Sequence, residues 1–162
     1  MTTRTEPTAG SWPTSTAIGV ALGWFAVLAL SMWFGSNGSR PIVAWFVAYP
    51  MFVLYPGVAA LAASRTRSSN LVIALATLIP MAALWLALSP AVFDTPFGVR
   101  DDRLKYAFVT LVIGLGLLVA TRIGARAMRR GHPVLGFAVA GAFFVVATTI
   151  ASVPLIVLMG TT

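Results

Sequence analysis

Three aspartates, Asp94, Asp101 and Asp102, stand close together in the stretch SPAVFDTPFGVRDDR at residues 89–103. It is the one segment where carboxylates could converge. An Asp pair at a membrane surface can hold a divalent cation, usually together with a phosphate-bearing substrate. Arg100, Arg103 and Lys105 are their immediate neighbours, however, and charge balance accounts for the cluster without a metal. The single histidine, His132, lies in a basic segment just before Pro133. A serine nucleophile would need a base beside it, and the order of the chain places His132 on the opposite side from the aspartates. With no cysteine, thiolate catalysis and Cys-ligated metals are excluded. Haem held between helices would want histidines within apolar segments, retinal a lysine, and proton relays buried carboxylates. The apolar segments carry no histidine and no carboxylate, and the one lysine, Lys105, stands at the mouth of the fourth. The reading is therefore of a non-enzyme with no metal and no cofactor.

Hydroxyls inside apolar stretches are the next candidates. Tyr49-Pro50 and Tyr55-Pro56 fall in one run. Each proline lacks an N–H and frees the carbonyl four residues back, here those of Phe46 and Phe52. Tyr55 lies about 20 Å along the run from Ile42, at about 1.5 Å per residue. It is too deep for an interfacial tyrosine, so its hydroxyl needs an internal partner, such as a freed carbonyl or a threonine of another segment. Tyr49, Tyr55, Thr148 and Ser152 are the residues that would line a ligand site or path. The competing role for Tyr55 is a satisfied buried hydroxyl beside a kink. Thr148 and Ser152, four apart, are expected to bond back to their own helix.

The segment Thr121–His132, TRIGARAMRRGH, orders the rest. Its arginines, Arg122, Arg126, Arg129 and Arg130, fall on one face if the preceding helix continues through them. They are candidates for contact with anionic lipid, at about 1 kcal/mol per charge, or simply a signal that fixes orientation. The net charge of +7 also invites a nucleic-acid partner. Because the basic residues sit at the ends of apolar runs, headgroups and topology explain them better, and no nucleic acid is expected.

Those segments define the elements. The chain of 162 residues is 59% hydrophobic and only 9% charged, against about 25% charged in an ordinary soluble domain. Ionised groups at the bilayer centre cost roughly 2.5–3.5 kcal/mol each, and the interiors of the long apolar runs have none. Residues 1–16 read as a flexible polar tail and 17–162 as a transmembrane domain. Five helices are predicted at about 17–34, 42–63, 71–88, 104–121 and 134–159. The first spans about 27 Å against a hydrocarbon thickness of about 30 Å, and it is read as a retained helix and not a cleaved signal peptide. The fourth run is short and glycine-containing, and if it only lay on the surface the count would fall to four.

The expected fold is all-α, a polytopic integral membrane bundle of five helices. Five crossings put Arg4, Arg65, Arg67, Arg122, Arg126, Arg129 and Arg130 on one side and Arg40, Arg100, Arg103 and Lys105 on the other. The positive-inside rule then places the N-terminus in the cytoplasm and the chain in the plasma membrane. Between helices in lipid, small residues permit close approach. Gly19 with Gly23, Gly116 with Ala120, and Gly136 with Ala140 are the expected packing positions, internal or against another copy. The leading functional expectation is a non-catalytic subunit or accessory protein that packs against a partner membrane protein, lipid or itself. A carrier or pore for a small neutral or hydrophobic molecule is the first alternative. An enzyme built on the Asp94–Asp102 loop is the second.

Overall fold

The structure, a computed structural model, describes the backbone of residues 11–37, 41–88 and 102–159 and the side chains of residues 11–31, 46, 48–86 and 107–150. The regular elements among the described residues are five α-helices: α1 (Thr14–Asn37), α2 (Pro41–Ser64), α3 (Ser69–Leu88), α4 (Asp102–Arg129) and α5 (Pro133–Met159). Four of them contain segments long and apolar enough to cross a membrane: Thr14–Ser31, Ser69–Leu86, Ala107–Arg129 and Pro133–Ile150. In α2 the described apolar stretch, Ala48–Ser64, is shorter. Among the described residues α2 is the helix that packs against all four others.

The helix ends differ from expectation for local reasons. α1 begins at Thr14, three residues early, where the Ala17 amide donates to the Pro13 carbonyl at 3.1 Å. The expected basic linker is mostly helix, because nothing in RIGARAMR breaks one before Gly131 and α4 runs through to Arg129. There the chain turns on a Schellman cap. The Gly131 amide donates to the Met128 carbonyl at 3.1 Å and the His132 amide to the Ala127 carbonyl at 3.2 Å. Gly131 sits at φ +88°, where a side chain would be strained. Pro133 then opens α5 at the one position where its missing N–H costs no helix bond. α4 is enclosed by α2, α3 and α5, so the fourth run is a packed member of the bundle.

The size distribution across the bundle is inverted relative to a water-soluble core. The buried cluster consists mostly of alanines, Ala17, Ala21, Ala59, Ala60, Ala62, Ala63, Ala76, Ala125 and Ala140, with Val72, Ile73 and Met128. A second, smaller buried cluster holds Tyr55, Leu117 and Phe144, but many large apolar side chains face outward: Phe46 is 77% exposed, Val134 82% and Ile150 62%. Soluble monomers rarely expose apolar surface on that scale. Where the surroundings are lipid, burying leucine gains little, whereas alanine lets backbones approach and gain dispersion contacts. At one site α4 and α5 approach backbone to backbone. A Cβ built on Gly124 would lie 2.8 Å from both Ala140 Cβ and the Gly136 carbonyl oxygen, and one on Gly136 would lie 2.7 Å from the Gly124 carbonyl oxygen. Ala60 of α2 closes the same site, 3.0 Å from that first Cβ.

Gly124→Val is therefore expected to destabilise the bundle by about 1–3 kcal/mol, the usual range for overpacking. Gly19→Val, made where nothing lies within 4 Å, should change stability little. Reversible unfolding in mixed micelles, followed by far-UV circular dichroism, compares the two.

Candidate functional site

Two regions gather the polar groups: the bundle interior, and the end where the short turns meet. In the interior Tyr55 is buried, and its hydroxyl donates to the Ala76 carbonyl of α3 at 2.7 Å. This carbonyl has a specific reason to accept. Its helical partner would be the amide four residues on, and that residue is Pro80, which has no N–H. Tyr55 thus replaces a backbone donor that the sequence of α3 removes, and it ties α2 to α3 in doing so. The ring packs against Phe25 of α1 with centroids 5.9 Å apart. One turn away, Trp24 Nε1 donates to the Met51 carbonyl at 3.0 Å, joining α1 to α2.

The remaining interior hydroxyls divide into two groups. Thr77 donates to the Ile73 carbonyl at 2.8 Å. Thr148 reaches the Phe144 and Val145 carbonyls of its own helix at 3.0 and 2.9 Å, which is the back-bonding expected of a hydroxyl in an apolar helix. Ser69, Thr110 and Thr121 instead have buried hydroxyls with no hydrogen-bond partner among the described residues. Thr110 and Thr121 are eleven residues apart on α4, about 20° in rotation, so they share its inner face.

Among the expected path-lining residues, Tyr49 is 62% exposed and Tyr55 is 2% exposed, so the two do not line a common surface. The side chain of Ser152 lies outside the described residues, as do Asp94, Asp101 and the side chain of Asp102. His132 is exposed in the α4–α5 turn. Among the described residues no cluster of His, Cys, Asp or Glu is placed to hold a metal.

The expected packing residues also divide. Gly116 meets Ala147 of α5, Gly136 meets Gly124 and Met128, and Ala120 and Ala140 are buried. Gly19 and Gly23 are exposed on α1 with open space around them. Gly124, which continues the four-residue spacing of Gly116 and Ala120, is the contact of Gly136 and Ala140. Sequence reasoning missed Gly114, which meets Met81 of α3. It also missed Trp24 and the Ala76 carbonyl. The last was readable as the residue four before Pro80.

At the turn end, the Trp12 amide donates to the Arg65 carbonyl at 2.7 Å. Thr14 Oγ1 lies 3.3 Å from Thr66 Oγ1, and Ser64 Oγ lies 3.8 Å from Met128 Sδ. These contacts bring the start of α1, the α2–α3 turn and the α4–α5 turn to one end of the bundle. Arg65, Arg67, Arg122, Arg126, Arg129 and Arg130 are all exposed. On α4 Arg122 and Arg126 lie opposite the buried Gly124 and Met128.

Comparison with protein families, with curated proteins and with solved structures finds no match to this chain.

Tyr55→Phe should destabilise the bundle by about 0.6–1.7 kcal/mol, the range of interhelical hydrogen bonds in membranes, because the Ala76 carbonyl loses its donor. In a Pro80→Ala background, where the helix regains its own N–H, the same change should cost markedly less. A double-mutant cycle of unfolding free energies measures the difference, and equal costs in both backgrounds would refute the pairing.

Proposed function

We propose that this chain is a small non-catalytic multi-pass protein of the plasma membrane, acting as a subunit or accessory protein by helix packing. In this reading α2 crosses the membrane together with the other four helices. The N-terminus and the two short turns face the cytoplasm, and the C-terminus faces outward. The charge distribution along the sequence supports that orientation.

The observation that carries the reading is the state of α1. Gly19 and Gly23 form a four-residue glycine repeat of the kind that lets two helices approach closely in lipid. Both are exposed, and a Cβ at either would touch nothing within 4 Å. Flanking positions Thr16, Ala26, Val27 and Leu30 on the same side are also exposed. The other described small-residue pairs, on α4 and α5, are occupied by neighbouring helices. A membrane helix, of a partner protein or of a second copy, is the occupant this face fits. The interior polar groups support the same reading: Tyr55 and Trp24 bond to backbone carbonyls of neighbouring helices, which holds helices in place, and Thr77 and Thr148 bond within their own helices.

The test is Gly19→Ile with Gly23→Ile. Mild-detergent native gels and crosslinking of membranes are expected to show the parent chain in a stoichiometric assembly and the variant released from it. Helix content and thermal midpoint of the purified variant should stay at parent values. A parent chain that runs only as a monomer, or a variant that assembles normally, contradicts the proposal.

A further inference from the structure

One outward face of α4 has two parts. Phe108, Leu111, Leu115 and Val119 are exposed, followed by Arg122, Arg126, Arg129 and Arg130, also exposed. At 100° per residue these positions stay within about 60° of a common line along the helix. Phe108 to Val119 covers about 16 Å at 1.5 Å per residue, which is the depth of one leaflet in a hydrocarbon layer of about 30 Å. The four guanidiniums follow directly, at the level where headgroup phosphates lie. Arg65 and Arg67 are added from the α2–α3 turn, since Ser64 touches Met128, the residue preceding Arg129. Val134 and Leu135, strongly exposed at the start of α5, place a second apolar surface beside the same turn.

We propose that this face is a binding site for an anionic glycerophospholipid, its acyl chain along Phe108–Val119 and its phosphate held by Arg122, Arg126 and Arg129 or Arg130. Guanidinium groups suit the site because their planar fork pairs two phosphate oxygens at once. Their stems lie along the apolar strip while the charge stays at the water layer. The lipid is identified by the order of chemistries on the helix, one leaflet of apolar contact and then a cluster of cations. A soluble anion would use only the second part.

The experiment is native mass spectrometry of the purified full chain released from micelles containing equal amounts of phosphatidylglycerol and phosphatidylcholine with the same acyl chains. The parent chain should retain phosphatidylglycerol at least fivefold over phosphatidylcholine, since each surface cation favours anionic lipid by roughly fivefold. Replacing all four α4 arginines by glutamine should bring the ratio near one. Arg40→Gln with Arg100→Gln and Arg103→Gln, which removes charge elsewhere in the sequence, should change it less than twofold. If the fourfold variant fails to fold, Arg126→Gln with Arg130→Gln should still lower the ratio at least fivefold. No headgroup preference in the parent, or an equal loss in the Arg40, Arg100 and Arg103 variant, overturns the proposal. Displacement of the bound lipid by a hundredfold excess of glycerol phosphate would do so as well, because it would assign the site to a soluble phosphate.

Discussion

A backbone carbonyl surrounded by hydrocarbon must find a donor within the protein, because no water is available to supply one. Pro80 creates such a carbonyl in α3, and Tyr55 of α2 answers it at 2.7 Å. That single need accounts for a tyrosine deep in an apolar helix, for the pairing of α2 with α3 at this level, and for the aromatic group formed by Tyr55 with Phe25, Phe52 and Phe144. Trp24 ties α1 to α2 through the Met51 carbonyl. Polar groups here fix the relative register of helices, a task that apolar contacts alone perform poorly in a solvent as apolar as leucine.

Given that register, the alanines can do the packing. Ala59, Ala60, Ala62 and Ala63 occupy buried positions on α2, so neighbouring backbones come close on several sides of one helix. The α4–α5 hairpin takes this furthest. Gly124 and Gly136 face each other with no room for a Cβ on either. The Schellman turn at Gly131 sets that crossing by bringing α5 back after a three-residue connection. Bulk is directed outward, which is the reverse of folding in water and the strongest physical sign that these surfaces meet lipid.

Much of this architecture was legible in the sequence. The absence of charge from the long runs delimited the helices, and GxxxG-type spacing marked Gly136 and Ala140 as contact positions. The tyrosine at position 55 announced a need for a donor's partner. Its identity was one subtraction away, Pro80 minus four, but pairing it with Tyr55 requires knowing which helices are neighbours, and local sequence does not hold that. The course of α4 through the arginines was hidden for another reason. Charged residues end an apolar run, yet they do not end a helix, so hydropathy stopped at Thr121 while the hydrogen bonds continued to Arg129. Gly19 and Gly23 had the same signature as Gly136 and Ala140 and lie on the opposite kind of surface. A spacing motif specifies a close approach without saying whether the approaching helix belongs to the same chain.

A tightly packed interior, bonded to itself, thus carries two outward features: an open glycine face on α1 and an arginine-tipped face on α4. Both have meaning only if the bundle spans the bilayer with its short turns on one side. The chain has no cysteine, so single cysteines at positions 39, 68, 132 and 162 can be labelled one at a time with a membrane-impermeant maleimide in intact and opened cells. Five crossings require positions 68 and 132 to share one face and positions 39 and 162 the other. Positions 39 and 68 labelling from the same face would mean that α2 does not cross, and would contradict the arrangement on which these assignments rest.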